Sequence, residues 1–451
     1  MHMKMLSTTD NNGGNYRVPK EHCNNLLAIG NRNVGGLCQE NPGLLIFPQS
    51  LGLYHDDIVK APIFMLQDGV LTTRNMMGFV GKDETRLTIS SRFCKDDQHD
   101  YFLHYMLQRV FAINMFNFEQ TSNDESIWDF LLYLFPYYLK QAFRQGIYRT
   151  YVRSEYNDAH VRGRIDVNRH IRMNFPFCGQ IAYSTREYSV DNPIIQLIRH
   201  TIEYISNHSF GKGVLTSDAE TRDIIDKIRM MTQTSYRRND RQRVVAANLK
   251  RFSHPYFTAY VMLQKICMQI LRQDKISFGE EESKIYGLLF DGAWLWEEYL
   301  NTVLRQDFEH PENKTGKHRR YLFNNGTKSF QAIYPDFISK NPPTIVGDAK
   351  YMALETQEYN EDSERATSVY YKTITYMYRF NSTSGFLLFP HSKGGSDETY
   401  EIKETAGRLR KIGLSIPQKE KSFAAFQTKM KAQEERLRSI LCNNDTDESS
   451  L

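Results

Sequence analysis

Hydrophobic positions along this chain change their spacing twice, and the changes divide it into blocks. Leu44-Leu45-Ile46-Phe47, Ala61 to Leu66 and Met77 to Gly81 are short apolar runs, and in Arg86 to Phe93 the apolar Leu87, Ile89 and Phe93 alternate with polar neighbours. Short runs and period-2 alternation predict strands. Residues 43–100 therefore read as a β-rich N-terminal domain, preceded by an Asn/Gly-rich polar segment, 1–42, expected to be flexible. From Tyr101 the period lengthens through Leu103, Tyr105-Met106, Val110 and Phe130 to Leu134. Residues 101–280 are predicted to be mainly helical, with helices at 194–205 and 256–271, the second opened at His254-Pro255.

A third block, 281–415, reads as helix (288–305), basic loop (311–320), hairpin (328–351), helix (363–380) and strand (385–390), the order of an α/β core. Beyond it, 416–451 carries Phe423, Phe426, Met430, Leu437 and Leu441 at helical spacing, suited to a docking helix, and then an acidic tail. The expected class is α+β multidomain.

Composition narrows the picture. At 451 residues the chain is too long for one ordinary core. No apolar run reaches the roughly 20 residues of a membrane span, and the start lacks a signal-peptide pattern, so a cytoplasmic location is expected. The six cysteines show no CxxC pair, which favours reduced thiols over zinc or disulfides. A formal net charge of +4 is small for this length, so contacts to nucleic acid must come from local patches.

The candidate chemistry lies in the hairpin. Tyr334-Pro335-Asp336 is followed by Asp348-Ala349-Lys350, with turn residues Ser339 to Pro343 and the β-branched Thr344-Ile345-Val346 between them. Alternation along a strand turns Asp348 and Lys350 to one side. Two acids and a lysine on neighbouring strands suit phosphodiester cleavage. In the helix before them, Glu297 falls on the stripe of Phe290, Ala293, Leu300 and Leu304, whereas Glu298 falls beside Trp294 and Asp291. A carboxylate on an apolar stripe needs a partner, so Glu297 is expected to join Asp336 and Asp348 around a divalent cation. Mg2+, with Mn2+ as a substitute, suits such oxygen ligands. Lys350 is assigned an electrostatic role, since general-base action would need its pKa far below the usual value of about 10.4. The bland reading is a turn aspartate, a solvated lysine and an ion-paired glutamate.

Basic clusters offer further surfaces. Arg149, Arg153, Arg162 and Arg164 surround tyrosines in a segment that could meet a partner chain or DNA, or simply be a solvated helix or hairpin face. Arg237, Arg238, Arg241 and Arg243, and Lys317, Arg319 and Arg320, are candidates for DNA phosphate contact, with solvated charge as the alternative.

Together these residues resemble the McrC family, which includes LlaJI-type restriction subunits, over about residues 60 to 415. Leu295-Trp296-Glu297, Tyr334-Pro335-Asp336 and Asp348-Ala349-Lys350-Tyr351 resemble its PD-(D/E)xK nuclease core. Met77 to Val80 with Arg86 to Phe93, Val161-Arg162-Gly163-Arg164-Ile165-Asp166 and Glu187 to Pro193 resemble its upstream segments. The resemblance implies a Mg2+-dependent endodeoxyribonuclease subunit that acts on double-stranded DNA with a McrB-like AAA+ GTPase hexamer, whose ring the region before the nuclease domain enters. One departure stands out: Lys372-Thr373-Ile374-Thr375-Tyr376 occupies the place of a Gln-x-x-x-Tyr helix motif. Lys372 and Tyr376 are candidate DNA contacts, with a solvated helix position as the plainer reading of the lysine. The chain has no GxxxxGK[ST] loop, so no nucleotide is expected on it. A stand-alone repair or defence nuclease, and a non-catalytic scaffold, remain as alternatives.

Overall fold

The computed structural model describes residues 4–41, 44–48, 59–94, 100–111, 123–208, 211–277, 285–311, 320–352, 354, 364–392 and 396–442. The chain divides into two compact units, one of Met1–Ile113, Asn117–Ile127 and Gly279–Leu451, the other of Asn114–Phe116 and Trp128–Phe278.

The first unit contains a five-stranded sheet in the order Lys4–Thr9, Thr85–Ser90, Met76–Lys82, Ile285–Asp291, Leu44–Phe47. Its fourth strand arrives from far along the chain. Ile285–Asp291 runs antiparallel to Met76–Lys82 and parallel to Leu44–Phe47. Every residue of that strand is buried, as a strand covered on both faces must be, which is why its apolar run is continuous rather than alternating. The helix expected at 288–305 is corrected accordingly. It begins at Gly292, where Asp291 caps it by accepting from the Ala293 N–H (3.0 Å), and ends at Leu304. Phe290 belongs to the strand. A Cβ on Gly292 would stand 2.8 Å from the Tyr351 ring, so a bare glycine lets the helix start against that side chain.

The polar leader is a second correction. Lys4–Thr9 pairs in parallel with Thr85–Ser90, and helices Lys20–Leu27 and Val34–Glu40 follow. Leu6, Val18, Leu26, Ile29, Val34 and Leu37 are all in the core. Apart from the run Leu26 to Ile29 they stand nearly singly among polar residues or glycines, so most of the segment looks polar although each side chain reaches the interior. The asparagines make turns: Asn12 Oδ1 accepts from the Gly14 and Thr73 N–H groups, both at 3.1 Å.

The same unit holds a six-stranded sheet in the order Phe308–Glu309, Phe337–Ser339, Ile345–Ala349, Ser384–His391, Arg408–Ser415, Ser396–Glu401. Ile345–Ala349 is antiparallel to Phe337–Ser339 and parallel to Ser384–His391, with helix Glu364–Arg379 in the crossover. A Cβ on Gly347 would meet the Phe386 ring at 2.1 Å, so the strand can lie against that ring only with glycine there. The expected hairpin at 328–351 resolves into two pairings, because Ser329–Ile333 joins Arg320–Asn324 in a separate ribbon. The C-terminal helix Phe423–Cys442 turns Phe423, Phe426, Met430, Leu437 and Leu441 into its own unit. There Glu434 accepts from Tyr105 Oη (2.8 Å), Tyr299 Oη (2.9 Å) and Arg109 Nη2 (3.1 Å), so the stripe expected to dock does so on its own chain.

The second unit is mostly helical. Pro193–Ser206 packs on Tyr260–Ser277, which starts five residues after Pro255. Its three-stranded sheet, Thr150–Asp158, Ile181–Ser189 and Arg164–Ile165, replaces helix over the Arg/Tyr-rich segment. Cys23, Cys38, Cys94, Cys178 and Cys267 are in no disulfide, and no helix among the described residues is long and apolar enough to cross a membrane.

Helix Ala219–Met231 is capped by Asp218, which accepts from the Thr221 N–H (2.8 Å) and from Lys140 Nζ (2.8 Å). Burial would raise the Asp218 pKa, but the Lys140 and Thr221 hydrogen bonds prevail and hold it at about 2. A depressed carboxyl stabilises the fold above its unfolded value and loses that contribution as pH falls through the folded one. Asp218→Ala should cost about 1 kcal/mol at neutral pH as a lost cap. The gap in melting temperature between wild type and variant should narrow as pH is lowered from 5 towards 2; a constant gap would contradict the assignment.

Candidate functional site

Two neighbouring inner strands of the six-stranded sheet gather the two acids. Asp336 stands just before strand Phe337–Ser339, where its N–H donates to the Gly347 carbonyl (3.1 Å) and its Oδ2 accepts from the Ala349 N–H (2.7 Å). Those bonds hold its carboxyl beside that of Asp348, which is fully buried near the C-terminal end of the neighbouring strand. One residue past that strand, Lys350 donates its N–H to the Leu388 carbonyl (2.8 Å), extending the parallel ladder. Its Nζ rests on Asp348 Oδ2. From the crossover helix, Lys372 places Nζ 3.7 Å from Asp348 Oδ1. The sequence-predicted trio of Asp336, Asp348 and Lys350 is thus brought together, and Lys372 joins it rather than standing apart as a solvated position.

Burial, and after it the nearby Asp348 charge, raise the Asp336 pKa to about 6 against the opposing lysines and the Ala349 N–H. Burial would lower Lys350, but the charges of Asp348 and Asp336 override it and raise the ammonium above its usual value. Lys350 therefore keeps its proton at neutral pH. Neither oxygen of Asp348 has a hydrogen-bond donor of good geometry. Two buried carboxylates, one with both oxygens lacking such donors, form a donor set that fits a hard divalent cation.

Glu297 does not complete that set. Among the described residues no three His, Cys, Asp or Glu side chains stand close enough to hold a metal together. The buried positions of the helix are Leu295, Trp296, Tyr299, Leu300, Val303 and Leu304, and both glutamates lie off that stripe, half-buried. The stripe of Ala293, Leu300 and Leu304 is only one edge of a buried face that Leu295, Trp296, Tyr299 and Val303 centre elsewhere. Glu298 is the acid tied to the site: its Oε1 lies 3.8 Å from His310 Nε2, while His310 Nδ1 lies 2.7 Å from the Asp336 carbonyl. Burial alone would lower the His310 pKa, yet Glu298 and Asp336 raise it to about 9. His310 is therefore cationic at neutral pH. No motif flagged it, because the pairing joins separate segments.

The chain leaving Lys350 is clamped by the N-terminal strands. Arg92 Nη2 donates to the Tyr351 carbonyl (2.6 Å), its Nη1 pairs with Asp10 Oδ2 (3.0 Å), and Ser91 Oγ meets Tyr351 Oη (2.9 Å). Asp10 is fully buried.

The other candidates divide. Tyr376 is buried, its ring packed with Ile333, Val346 and Met377, so it supports the site and is no DNA contact. Arg241 is used internally, over the Tyr204 ring and on the Leu271 carbonyl. Arg237 binds the carbonyls of Thr234 and Tyr236, both at 3.0 Å, and Arg243 lies 3.9 Å from Asp240. Arg238 is exposed. Arg320 lies over the Phe380 ring, whereas Lys317 and Arg319 fall outside the described residues. Arg149, Arg153, Arg162 and Arg164 are exposed on the small sheet of the second unit; Arg153 pairs with Asp166 (3.7 Å) and Arg162 with Asp158 (3.6 Å). Two exposed tyrosines went unnoticed in the sequence, Tyr371 and Tyr378, which flank Lys372 on its helix.

The fold is that of an α+β protein of two units with a charged cluster on a mixed sheet. A family model described as "McrBC 5-methylcytosine restriction system component" matches residues 71–390, and the chain belongs to that family. Two solved structures from Thermococcus gammatolerans resemble it at lower similarity. One is a refined half-complex from a tetradecameric assembly of McrB AAA+ hexamers with bound McrC, with 14% identity, TM-score 0.45, and coverage of 97% of this chain and 100% of that one. The other is a cryo-EM structure of the McrBC complex, with 14% identity, TM-score 0.33, and coverage of 67% and 88%. No curated protein matches the chain.

Breaking a buried ion pair from one side costs about 3–5 kcal/mol, because it leaves the other charge uncompensated. Arg92→Ala should therefore lower the melting temperature markedly. Arg32→Ala, which breaks the exposed pair with Glu40, should shift stability by under about 1 kcal/mol. Equal effects of the two substitutions on thermal melting would contradict the clamp.

Proposed function

We propose that the chain is the McrC-like component of a two-part restriction system, a Mg2+-dependent endonuclease that hydrolyses DNA phosphodiesters beside an AAA+ GTPase motor. The observation that carries this reading is the convergence of Asp336, Asp348 and Lys350 at one strand end. Membership in a restriction-system family supports it.

Asp336 and Asp348 would hold the cation. Bound there, Mg2+ would lower the pKa of water and polarise the scissile phosphate. The rest is the work of the chain. Asp348 faces an ammonium group on each side of its carboxyl, and Asp336, with a backbone N–H on one oxygen, keeps the other side of the site acceptor-rich. Lys350, a retained cation, opposes the negative charge that develops on the phosphoryl oxygens. His310 and Glu298 fix the Asp336 backbone.

The motor is proposed as a separate chain, the kind of company McrC keeps in the Thermococcus gammatolerans assemblies. The surface proposed to meet it is the small sheet of the second unit. There Arg149, Arg153, Arg162 and Arg164 share the segment with exposed Ile165, Val167, Ile171, Phe175 and Phe177, an apolar group larger than a lone surface residue explains.

Methylated and unmethylated plasmid should be cut only when this protein, its motor, GTP and Mg2+ are all present. Asp348→Ala and Lys350→Ala should abolish cutting while leaving motor association intact, each variant being compared as protein that thermal melting shows to be folded; for Lys350→Ala the loss is expected at about 10²-fold or more. Cutting without the motor would favour a stand-alone nuclease. Full activity in Asp348→Ala would remove the catalytic reading.

A further inference from the structure

Asp348 is met by two ammonium groups that differ in how they are held. Lys350 Nζ rests directly on Oδ2, and its side chain is 21% exposed. Lys372 Nζ stands 3.7 Å from Oδ1 on a side chain 46% exposed, beyond hydrogen-bonding distance of that oxygen. The first is committed to the acid. The second is attracted to it but keeps its donors, at the half of the site that faces solvent.

Its surroundings hold it there. Nζ lies 5.6 Å from the Tyr376 ring centroid, one helical turn on, and that ring is itself fixed in the core. The residues beside it on the same helix, Tyr371, Tyr378 and Arg379, face outward, with the two tyrosines 68% and 86% exposed. Aromatic groups interleaved with cations form a surface suited to a nucleic-acid strand.

Charge explains why a second cation belongs here. Asp336, Asp348 and Lys350 sum to one negative charge when both acids are ionised, and Lys372 brings the four groups to neutrality. A phosphodiester entering that cluster adds a negative charge beside two carboxylates, which a loosely held ammonium can offset by turning from Asp348 to the phosphate. We propose that Lys372 is a further catalytic residue of this site, one that turns from Asp348 to bind a phosphate oxygen of the DNA strand. The proposal rests on the nuclease reading above and adds to it a contact that glutamine, uncharged, would not make in the same way.

The full-length protein with its motor provides the test, using wild type, Lys372→Gln and Lys372→Arg. A half-exposed pair contributes little to stability, so all three should melt alike. Binding of a labelled DNA duplex is followed by fluorescence anisotropy across a salt series with Ca2+ in place of Mg2+, and single-turnover cleavage is measured separately with Mg2+. Lys372→Gln should lower the slope of log affinity against log salt by about 0.9, one phosphate contact. It should also slow cleavage by about 10²–10³-fold, the loss expected for one preorganised donor. Lys372→Arg should restore the slope. A wild-type slope in Lys372→Gln would overturn the phosphate contact, whether or not cutting is lost. If wild type cuts nothing while the slope still drops in the variant, the nuclease reading fails and the phosphate contact stands.

Discussion

The arrangement of this molecule turns on keeping two like charges together in a place where neither is well solvated. Asp348 has no exposed surface and Asp336 almost none, and they occupy adjacent strand ends. Two carboxylates so placed repel one another and each has lost its water. The two respond differently. Asp336, with a backbone N–H on one oxygen, rises to about 6, whereas Asp348 has an ammonium on each side. Of the two lysines, Lys350 is the nearer and the more buried, so it is the counter-charge on which Asp348 chiefly depends. The same constraint sets the position of the crossover helix, because only a helix lying across the parallel pair can bring Lys372 to Asp348 while Tyr376 fills the space beneath.

Holding the acids in place draws on parts of the chain that carry no chemistry. The strand Ile285–Asp291 is paired on both sides within the N-terminal sheet, and the next residue opens the helix that bears Glu298. On the other side of the site, Tyr351 is held by Arg92 and Ser91 from that sheet. Lys350 thus lies between the Leu388 carbonyl, which takes its N–H, and a clamped neighbour. The N-terminal strands and the acid-bearing sheet belong to one compact unit for this reason, although about 190 residues of sequence separate Ser90 from Ile285.

The acid pair and its lysine were legible in the sequence because the signal is local: turn residues between two short strands fix their own pairing, and alternation then fixes which side chains share a side. The helices of the second unit were legible by period. The leader was not, since residues such as Leu6, Val18 and Leu37 are each surrounded by polar neighbours and reveal their burial only once the sheet exists. The helix at 288–305 failed for a related reason. A fully buried strand and the buried face of a helix are both continuous apolar text, and Asp291, the cap that separates them, looks like any other acid until the backbone around it is known.

A second misreading in that helix had a chemical consequence, because successive residues turn by about 100° and a stripe read at its edge misplaces the side chains beside it. The stripe of Ala293, Leu300 and Leu304 put Glu297 on the inward face; the face centred on Leu295, Trp296, Tyr299 and Val303 leaves both glutamates half-buried on its flank, with Glu298 meeting His310. The histidine is then no bystander. Its cationic charge, maintained at about 9 by Glu298 and Asp336, lies against the backbone of the very acid whose own proton affinity is raised. A positive group there partly offsets the repulsion between the two carboxylates from behind, as the lysines do from in front, so the pair is neutralised from two directions by three segments that no short motif connects.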